Sequence, residues 1–192
     1  MLSCSFNVKL FSQLLQVITT ELRRIKKLDA SSELDENGKL TPKVRHLLPL
    51  LRQYSSWLLT DIPNLVDAQI NYSKTSPREV ALVANIKELW RNYTEMLDLL
   101  APTYQLRGER QLEYLLAEDE DALGFKPFAD EYVSKSRYFD DIGKLKPRYT
   151  DLNVQREEPT EEMLHRIRGI VKDGITIAKS TVSIPGHQFL LG

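Results

Sequence analysis

The sequence has little of the residues that build disulfides and metal sites. Among its 192 residues there is one cysteine, Cys4, and there are three histidines. A single cysteine excludes an internal disulfide, and His46, His165 and His187 lie on separate segments without the spacing of zinc ligands. We therefore expect no metal, no other cofactor and a reducing compartment, either the cytoplasm or the nucleus.

Long apolar runs and an excess of one charge are also absent. In the first 27 residues, Lys9, Gln13, Gln16 and Glu21 interrupt the apolar residues, which argues against a signal peptide or a membrane span. Lysine plus arginine number 26 against 27 acidic residues, so the formal charge of -1 gives no overall attraction to polyanions. We expect a soluble protein on which any nucleic-acid-binding surface is a local patch.

Motifs for catalysis are missing as well. No glycine-rich loop is placed to hold a phosphate, and no motif sets a serine or cysteine beside a base and an orienting group. The sequence therefore predicts a protein that is not an enzyme.

The pattern that is present is helical. Apolar residues recur at intervals of three and four, which predicts helices over about 7–28, 42–59, 77–101, 108–117 and 161–180. Thr41-Pro42 and Ser76-Pro77 are typical helix starts, and Glu79 completes a capping box with Ser76.

Proline and threonine mark the expected limits of two helices. Pro49 is expected to bend the second helix near residues 44–48, and Pro63 is expected to follow its end. Thr160 is the expected N-cap of the last helix.

No segment alternates with the period of a strand, so the predicted fold class is all-α. We expect one domain, residues 1–192, built from irregular antiparallel helical hairpins similar to an α-α superhelix. A long loop-rich connection is expected at about 129–158, and residues 181–192 read as a short irregular end.

Four consecutive acids, at 118–121, raise the question of a metal or catalytic site. Adjacent acids on a helix point in different directions, and the ligand spacing of a calcium loop is absent. We therefore expect a cap and turn, in which Asp119 or Asp121 accepts backbone N–H bonds and Gly124 turns the chain. Phe125 and Phe128 are expected to anchor this segment in the core.

Two basic clusters have two interpretations. One is a solvated helix face whose cations complement the helix dipole. The other is contact with phosphates of single-stranded nucleic acid or with an acidic partner, which would need exposed aromatic residues nearby. Tyr54 and Tyr93 lie in apolar patterns and are assigned to the core. The candidate nucleic-acid-binding residues are Arg23, Arg24, Lys26, Lys27, Arg166 and Arg168.

Two blocks of sequence carry a resemblance to a known family. The first is a Leu-Leu-Pro at 47–49 with an aromatic residue and a Trp-Leu downstream, and the second is an acidic pair that leads into Leu-x-Gly-Phe. The residues concerned are Pro49, Tyr54, Trp57, Glu118, Asp119, Gly124, Phe125 and Pro127. The blocks resemble the helical domain of the ever-shorter-telomeres and SMG family of telomerase-associated subunits and nonsense-mediated mRNA decay factors. Ala117 departs from that family's pattern, which has a proline there.

The resemblance implies a function that does not involve catalysis. It predicts a helical interaction domain that binds a protein partner of a decay or telomerase complex, with RNA or single-stranded DNA as a further ligand and no membrane. The alternative is a helical protein-protein scaffold that binds no nucleic acid. Since the family's phosphopeptide-adaptor-like domain and PIN-type nuclease have no counterpart here, we expect an isolated piece of such a factor or a reduced relative.

Overall fold

The computed structural model describes residues 2–29, 40–71, 76–103, 112–125, 137–151 and 153–182. These residues form five helices and, within the described ranges, no strand beyond an isolated antiparallel bridge between Phe139 and Leu145. The helices are α1 (Leu2–Asp29), α2 (Pro42–Asn71), α3 (Pro77–Thr103), α4 (Ala117–Ala122) and α5 (Pro159–Val182). The all-α prediction is confirmed. Within the described ranges, no helix is long and apolar enough to cross a membrane.

The four long helices share one hydrophobic core. Each contributes most of the stripe that its sequence pattern predicts, although Val80 and Ile175, which were assigned to these stripes, are exposed. The fully buried large side chains include Phe11, Leu15, Leu48, Leu58 and Leu89. Helix α1 packs mainly on α3, and α5 packs mainly on α2. Removing these stripes from water is the main force that holds the helices together.

Contacts between side chains give the helix directions. Lys43 at the start of α2 pairs with Glu21 near the end of α1 at 3.1 Å, while Phe11 stacks on Tyr54 further along α2. Helices α1 and α2 are therefore antiparallel. Gln16 bonds Glu88, and Arg23 pairs with Glu95, so α1 and α3 run in the same direction.

Helix α2 is longer than predicted. It begins as expected, with the Val44 N–H bonded to the Thr41 hydroxyl at 3.3 Å. The prediction that it ends near residue 59 is wrong, because the helix continues through Pro49 and Pro63 to Asn71. An interior proline costs about 3 kcal/mol. The last three turns bury four apolar residues in the core, Ile62, Leu65, Val66 and Ala68, and this burial offsets the cost.

The start of α3 is confirmed and that of α5 is corrected. Helix α3 begins at Pro77. Helix α5 begins at Pro159, and the Glu158 carbonyl accepts from the N–H groups of Glu161 and Glu162. Glu158 thus occupies the cap position that was predicted for Thr160, because proline favours the first helical position.

The segment between α3 and α5 differs most from expectation. In the described part of the helix predicted at 108–117, residues 112–116 are not helical, and the acids expected in a cap form α4 itself. Arg137 and Tyr138 are helical, and the described residues from 139 to 158 are loops and turns, as predicted. The Leu115 N–H bonds the Pro147 carbonyl at 2.9 Å, which holds this connection against the entry to α4. Pro127, Phe128 and the predicted irregular end beyond Val182 lie outside the described residues.

Gly124 ends α4 in the left-handed region, with φ of 82°. An added Cβ would meet no atom within 4 Å, so a larger residue is opposed by backbone conformation and not by a clash. We predict that Gly124→Val lowers the free energy of unfolding by about 1–2 kcal/mol, measured by urea denaturation. Gly124→Asn should lose less, because asparagine tolerates this conformation better. Equal stability of Gly124→Val and the wild type would contradict the turn.

Candidate functional site

The acids of α4 are turned inward, towards a buried arginine of α2. Arg52 is 7% exposed and donates from Nη1 to Asp119 Oδ1 at 2.5 Å, with Glu118 Oε1 at 3.4 Å. Asp119 is itself only 2% exposed. Gln53 also bonds the Glu118 carbonyl at 2.6 Å, so α4 is fixed to α2 by side chains at successive positions.

A second arginine, from α5, holds the other side of Glu118. Arg166 donates from Nε and Nη2 to the two Glu118 oxygens at 2.8 and 2.9 Å, which is the bidentate geometry that makes such pairs strong. Its Nη1 also lies 3.5 Å from Glu162 Oε2. The Tyr114 hydroxyl donates to Glu162 at 2.8 Å and accepts from the Glu157 N–H, which extends the contacts to the loop before α5.

A third arginine, Arg137, closes the arrangement at α5. It donates to Asp173 Oδ2 at 2.5 Å and to the Arg52 carbonyl at 3.2 Å. Ser55 bonds both Asp173 and the Tyr93 hydroxyl. We call the charged residues Arg52, Arg137, Arg166, Glu118, Asp119, Glu162 and Asp173 the ion-pair network.

Space for Arg52 depends on a glycine of α5. A Cβ at position 169 would lie 3.2 Å from Arg52 Nε and 3.7 Å from its Cδ. Arg52 Nε has no hydrogen-bond partner among the described residues, so the guanidinium fits against bare backbone on that side. Gly169 therefore lets α5 approach the arginine closely.

Burial and charge shift the pKa values of the network in different directions. Burial acts to raise the pKa of Glu118, but hydrogen bonds from Arg166 and the charges of both arginines outweigh it, so this pKa lies below its usual value. Burial raises the pKa of Asp173 by more than Arg137 and Ser55 lower it. Burial also raises the pKa of Tyr114, to about 12, which keeps its hydroxyl a proton donor.

Each carboxylate of the ion-pair network faces at least one arginine. In the part of the chain that the structure describes, no group of three His, Cys, Asp or Glu side chains is placed to hold a metal ion. Because each charge faces an opposite one, the network can be buried without leaving an unpaired ion.

The predicted cap is therefore wrong, and the predicted turn is right. The N-cap of α4 is Leu116, with no side-chain cap bond, because Asp119 is directed to Arg52 and Asp121 is exposed. Phe125 was expected in the core but is 54% exposed. Gly124 has the expected left-handed conformation.

The other residues of the two resembling blocks serve packing. Tyr54 and Trp57 pack partly buried against the core, edge to face with each other, and Tyr54 stacks on Phe11. Tyr93 is 2% exposed, as its assignment to the core predicted. Pro49 lies inside α2, one turn before Arg52.

The six candidate nucleic-acid-binding residues lie in two different environments. Arg24, Lys26 and Lys27 are exposed at the end of α1, and none of the ion pairs between described residues involves them. Arg23 beside them pairs with Glu95 while remaining largely exposed. The α5 residues are less available. Arg166 is held by Glu118, and Arg168 is half-buried.

Sequence reasoning missed Arg52, Arg137 and Asp173. The sequence pattern around two of these residues could have revealed them. Arg52 follows the core residue Leu48 by four positions, and Asp173 lies between Ile170 and Ile177, so both fall on apolar helix faces. A charged residue on such a face needs a partner of opposite charge. Arg137 stands in the loop-rich connection and has no such pattern around it.

Comparison with known proteins supports the resemblance. The family model described as Est1 DNA/RNA binding domain matches residues 2–131, which is more than half of the chain. The chain belongs to the Est1 DNA/RNA binding domain family. No curated protein and no solved structure gives a match. The family match spans α1 to α4, so it includes Arg52, Glu118 and Asp119 of this Est1-type domain.

We predict that Asp119→Asn destabilises the Est1-type domain by about 3–5 kcal/mol, because it leaves the buried Arg52 guanidinium without its closest counter-charge. Asp121→Asn is the matched control. Its side chain is exposed two residues away on the same helix, and its effect should stay within about 0.5 kcal/mol. Urea denaturation at neutral pH measures both. Equal stability of the two variants would contradict the structural role of the network.

The lowered pKa of Glu118 predicts an acid-dependent contribution to stability. A carboxyl whose pKa is lower in the folded state stabilises the fold above its unfolded value, here 4.5, and loses that contribution as the pH falls through the folded pKa. The stability difference between the wild type and Glu118→Gln should therefore be constant from about pH 7 to 5.5 and shrink below about pH 4.5.

The contribution of Asp173 to stability changes with pH in the opposite direction, because its pKa is raised in the folded state and protonation there favours folding. The wild type and Glu118→Gln both contain Asp173, so its effect largely cancels in the stability difference between them. Urea denaturation at several pH values gives the difference. A difference that does not change with pH would show that Glu118 does not titrate as its contacts with Arg52 and Arg166 require.

Proposed function

We propose that this chain is a non-enzymatic interaction domain of a telomerase-associated or nonsense-mediated mRNA decay factor. It binds RNA or single-stranded DNA through the cations at the end of α1, and a protein partner of the same complex through another surface. Membership of the Est1 DNA/RNA binding domain family supports the nucleic-acid ligand. A place in the cytoplasm or the nucleus follows from this proposal.

The main observation that supports this proposal is the exposure of the cations at the end of α1. Arg24, Lys26 and Lys27 follow one another within a single turn of helix, and Arg23 adds a fourth cation beside them. Arg24, Lys26 and Lys27 form no ion pair with a described residue, and exposed cations of this kind can exchange their counterions for phosphates, which is the source of most sequence-independent affinity for nucleic acid. We call Arg23, Arg24, Lys26 and Lys27 the α1 basic patch.

Arg166 does not belong to this binding surface. Its guanidinium is engaged by both oxygens of Glu118, so contact with a phosphate would leave a mostly buried carboxylate unpaired. Its removal should lower stability and leave nucleic-acid binding to the folded protein unchanged.

Fluorescence anisotropy with labelled single-stranded RNA and DNA tests the proposal. We predict saturable binding that weakens with salt. Replacing all four residues of the α1 basic patch by glutamine should reduce the slope of log K against log salt by about 0.7 for each phosphate that the variant no longer neutralises.

A matched control removes the same charge elsewhere. Lys9, Arg78, Lys87 and Arg91 are exposed on α1 and α3 outside the patch, and their replacement by glutamine should leave most of the affinity. Equal losses in the two variants would indicate attraction by net charge alone and contradict a localised site. No binding to the wild type at low salt would favour the protein-protein scaffold.

An apolar stripe supports contact with a protein partner. Phe6, Leu10 and Val17 lie on one face of α1 and are 66%, 40% and 39% exposed. Large apolar side chains that share one face of a helix favour contact with another protein more than scattered ones do.

A further inference from the structure

Helix α1 exposes a continuous row of side chains on the face that points away from the core. The members of this row are separated alternately by four and three residues, which is the spacing of a coiled-coil seam. All are exposed, and they are Phe6, Leu10, Gln13, Val17, Thr20, Arg24 and Lys27. We call these residues the α1 seam. From its first residue to its last, the seam spans about 32 Å of helix.

The neighbouring helices leave the α1 seam uncovered. Phe11 and Leu15, on the opposite face of α1, are fully buried in the core. Gln16 bonds a side chain of α3 on one side of the seam, and Glu21 pairs with a side chain of α2 on the other. Both neighbours of α1 therefore lie towards the core, and the seam is open to another chain along its length.

The chemistry of the α1 seam changes from one end to the other. The first part carries the apolar side chains Phe6, Leu10 and Val17, which are exposed. The second part carries Arg24 and Lys27, which form no ion pair with a described residue. An occupant that matches the whole seam therefore has an apolar part and an acidic part.

An amphipathic helix has the shape and the charge that this seam requires. Intervals of four and three residues bring apolar side chains of α1 against those of a second helix that lies along it. The only acid between residues 2 and 27 is Glu21, which is already paired with Lys43. Acids on the partner helix supply the missing counter-charges of Arg24 and Lys27.

Two other occupants match the α1 seam less well. A second copy of α1 in antiparallel register would cover the apolar part and leave both basic parts unmatched, and a parallel copy would set cations against cations. A helix that lies on a membrane surface has cations on its polar face along its length, whereas α1 has only Lys9 before Arg23.

We propose that the α1 seam docks an acidic amphipathic helix of a protein partner. Apolar residues of the partner pack on Phe6, Leu10 and Val17, and its acidic end pairs with Arg24 and Lys27. Because these two cations also belong to the α1 basic patch, the partner helix and nucleic acid compete for them. The competition rests on the proposed function of the patch, while the docking of the helix does not.

Fluorescence anisotropy with labelled three-heptad peptides tests the docking on the full chain. Each peptide has leucine at the seam positions of two heptads and glutamate at those of the third, which comes last in one peptide and first in the other. The two peptides cover both helix directions, and at least one should bind saturably. Lysine in place of its glutamates should weaken binding at least about tenfold. Failure of both acidic peptides to bind, or equal binding of the lysine version, would overturn the proposal.

A matched pair of apolar variants locates the contact. Leu10→Asn combined with Val17→Asn should weaken peptide binding at least about tenfold. The control combines Ile70→Asn with Val80→Asn, since these residues are 52% and 48% exposed on α2 and α3 and lie outside the seam. Its affinity should remain that of the wild type. Equal losses in the two variants would contradict docking on α1.

A matched pair of charge variants tests the acidic end of the partner. Arg24→Gln combined with Lys27→Gln should weaken the acidic peptide more than Arg23→Gln combined with Lys26→Gln. Both variants lose two cations of the same patch, but Arg23 and Lys26 lie on α1 outside the seam. Thermal melts check that every variant is folded. Equal effects of the two variants would indicate attraction by net charge alone and overturn the assigned pairing.

The two other occupants are also tested on the wild type. Self-association in sedimentation that the Leu10→Asn, Val17→Asn variant loses would assign the seam to a second copy. Flotation with phosphatidylserine vesicles that the same variant loses would assign it to a membrane surface. Either result would overturn the proposal.

Competition is measured with labelled single-stranded RNA bound to the wild type. Unlabelled acidic peptide should displace the RNA, and RNA should in turn weaken the apparent affinity of the peptide. Simultaneous binding of both would overturn the competition. An RNA that fails to bind at all would contradict the proposed function of the α1 basic patch alone, since peptide binding is measured without RNA.

Discussion

The fold depends on one buried cation. Arg52 lies on the core-facing side of α2, where a guanidinium can remain charged only if carboxylates come to it. Asp119 and Glu118 supply those charges from a helix of six residues that is too short to be stable alone. Glu118 is then shared with Arg166, so the same contacts draw α5 against α2. Gly169 is needed in addition, because a side chain there would crowd the Arg52 guanidinium.

The long helices could be predicted from sequence because their information is local. An apolar stripe and a cap such as Thr41 or Ser76 lie within a few residues of the structure that they specify. The end of α2 could not be placed in this way, since Pro63 is a local stop signal and the packing that overrides it comes from other helices. The pairing of Arg52 with Asp119 joins residues 67 positions apart, and only the charge on a core-facing position of α2 gave a hint of it.

The two blocks that carry the family resemblance are the two halves of this interaction. The first surrounds Arg52 on α2, and the second contains Glu118, Asp119 and the turn at Gly124. Arg52 of the first block pairs with Glu118 and Asp119 of the second. Part of each block therefore sets the architecture, and neither block includes the α1 basic patch. The match to the Est1 DNA/RNA binding domain family is consistent with this division, since the α1 basic patch lies within residues 2–131 but in neither block.

The ion-pair network also determines which charges of the protein can attract a polyanion from a distance. Arg52, Arg137 and Arg166 face carboxylates across 2.5 to 2.9 Å, so each pair has little field outside the protein. With a formal charge of -1 for the whole chain, attraction of a polyanion must come from exposed cations that are not compensated nearby. Salt screens exposed charges much more than buried pairs. A change of ionic strength therefore weakens binding at the α1 basic patch while it leaves the internal ion pairs almost unchanged, and the loss of affinity reports on the surface and not on unfolding.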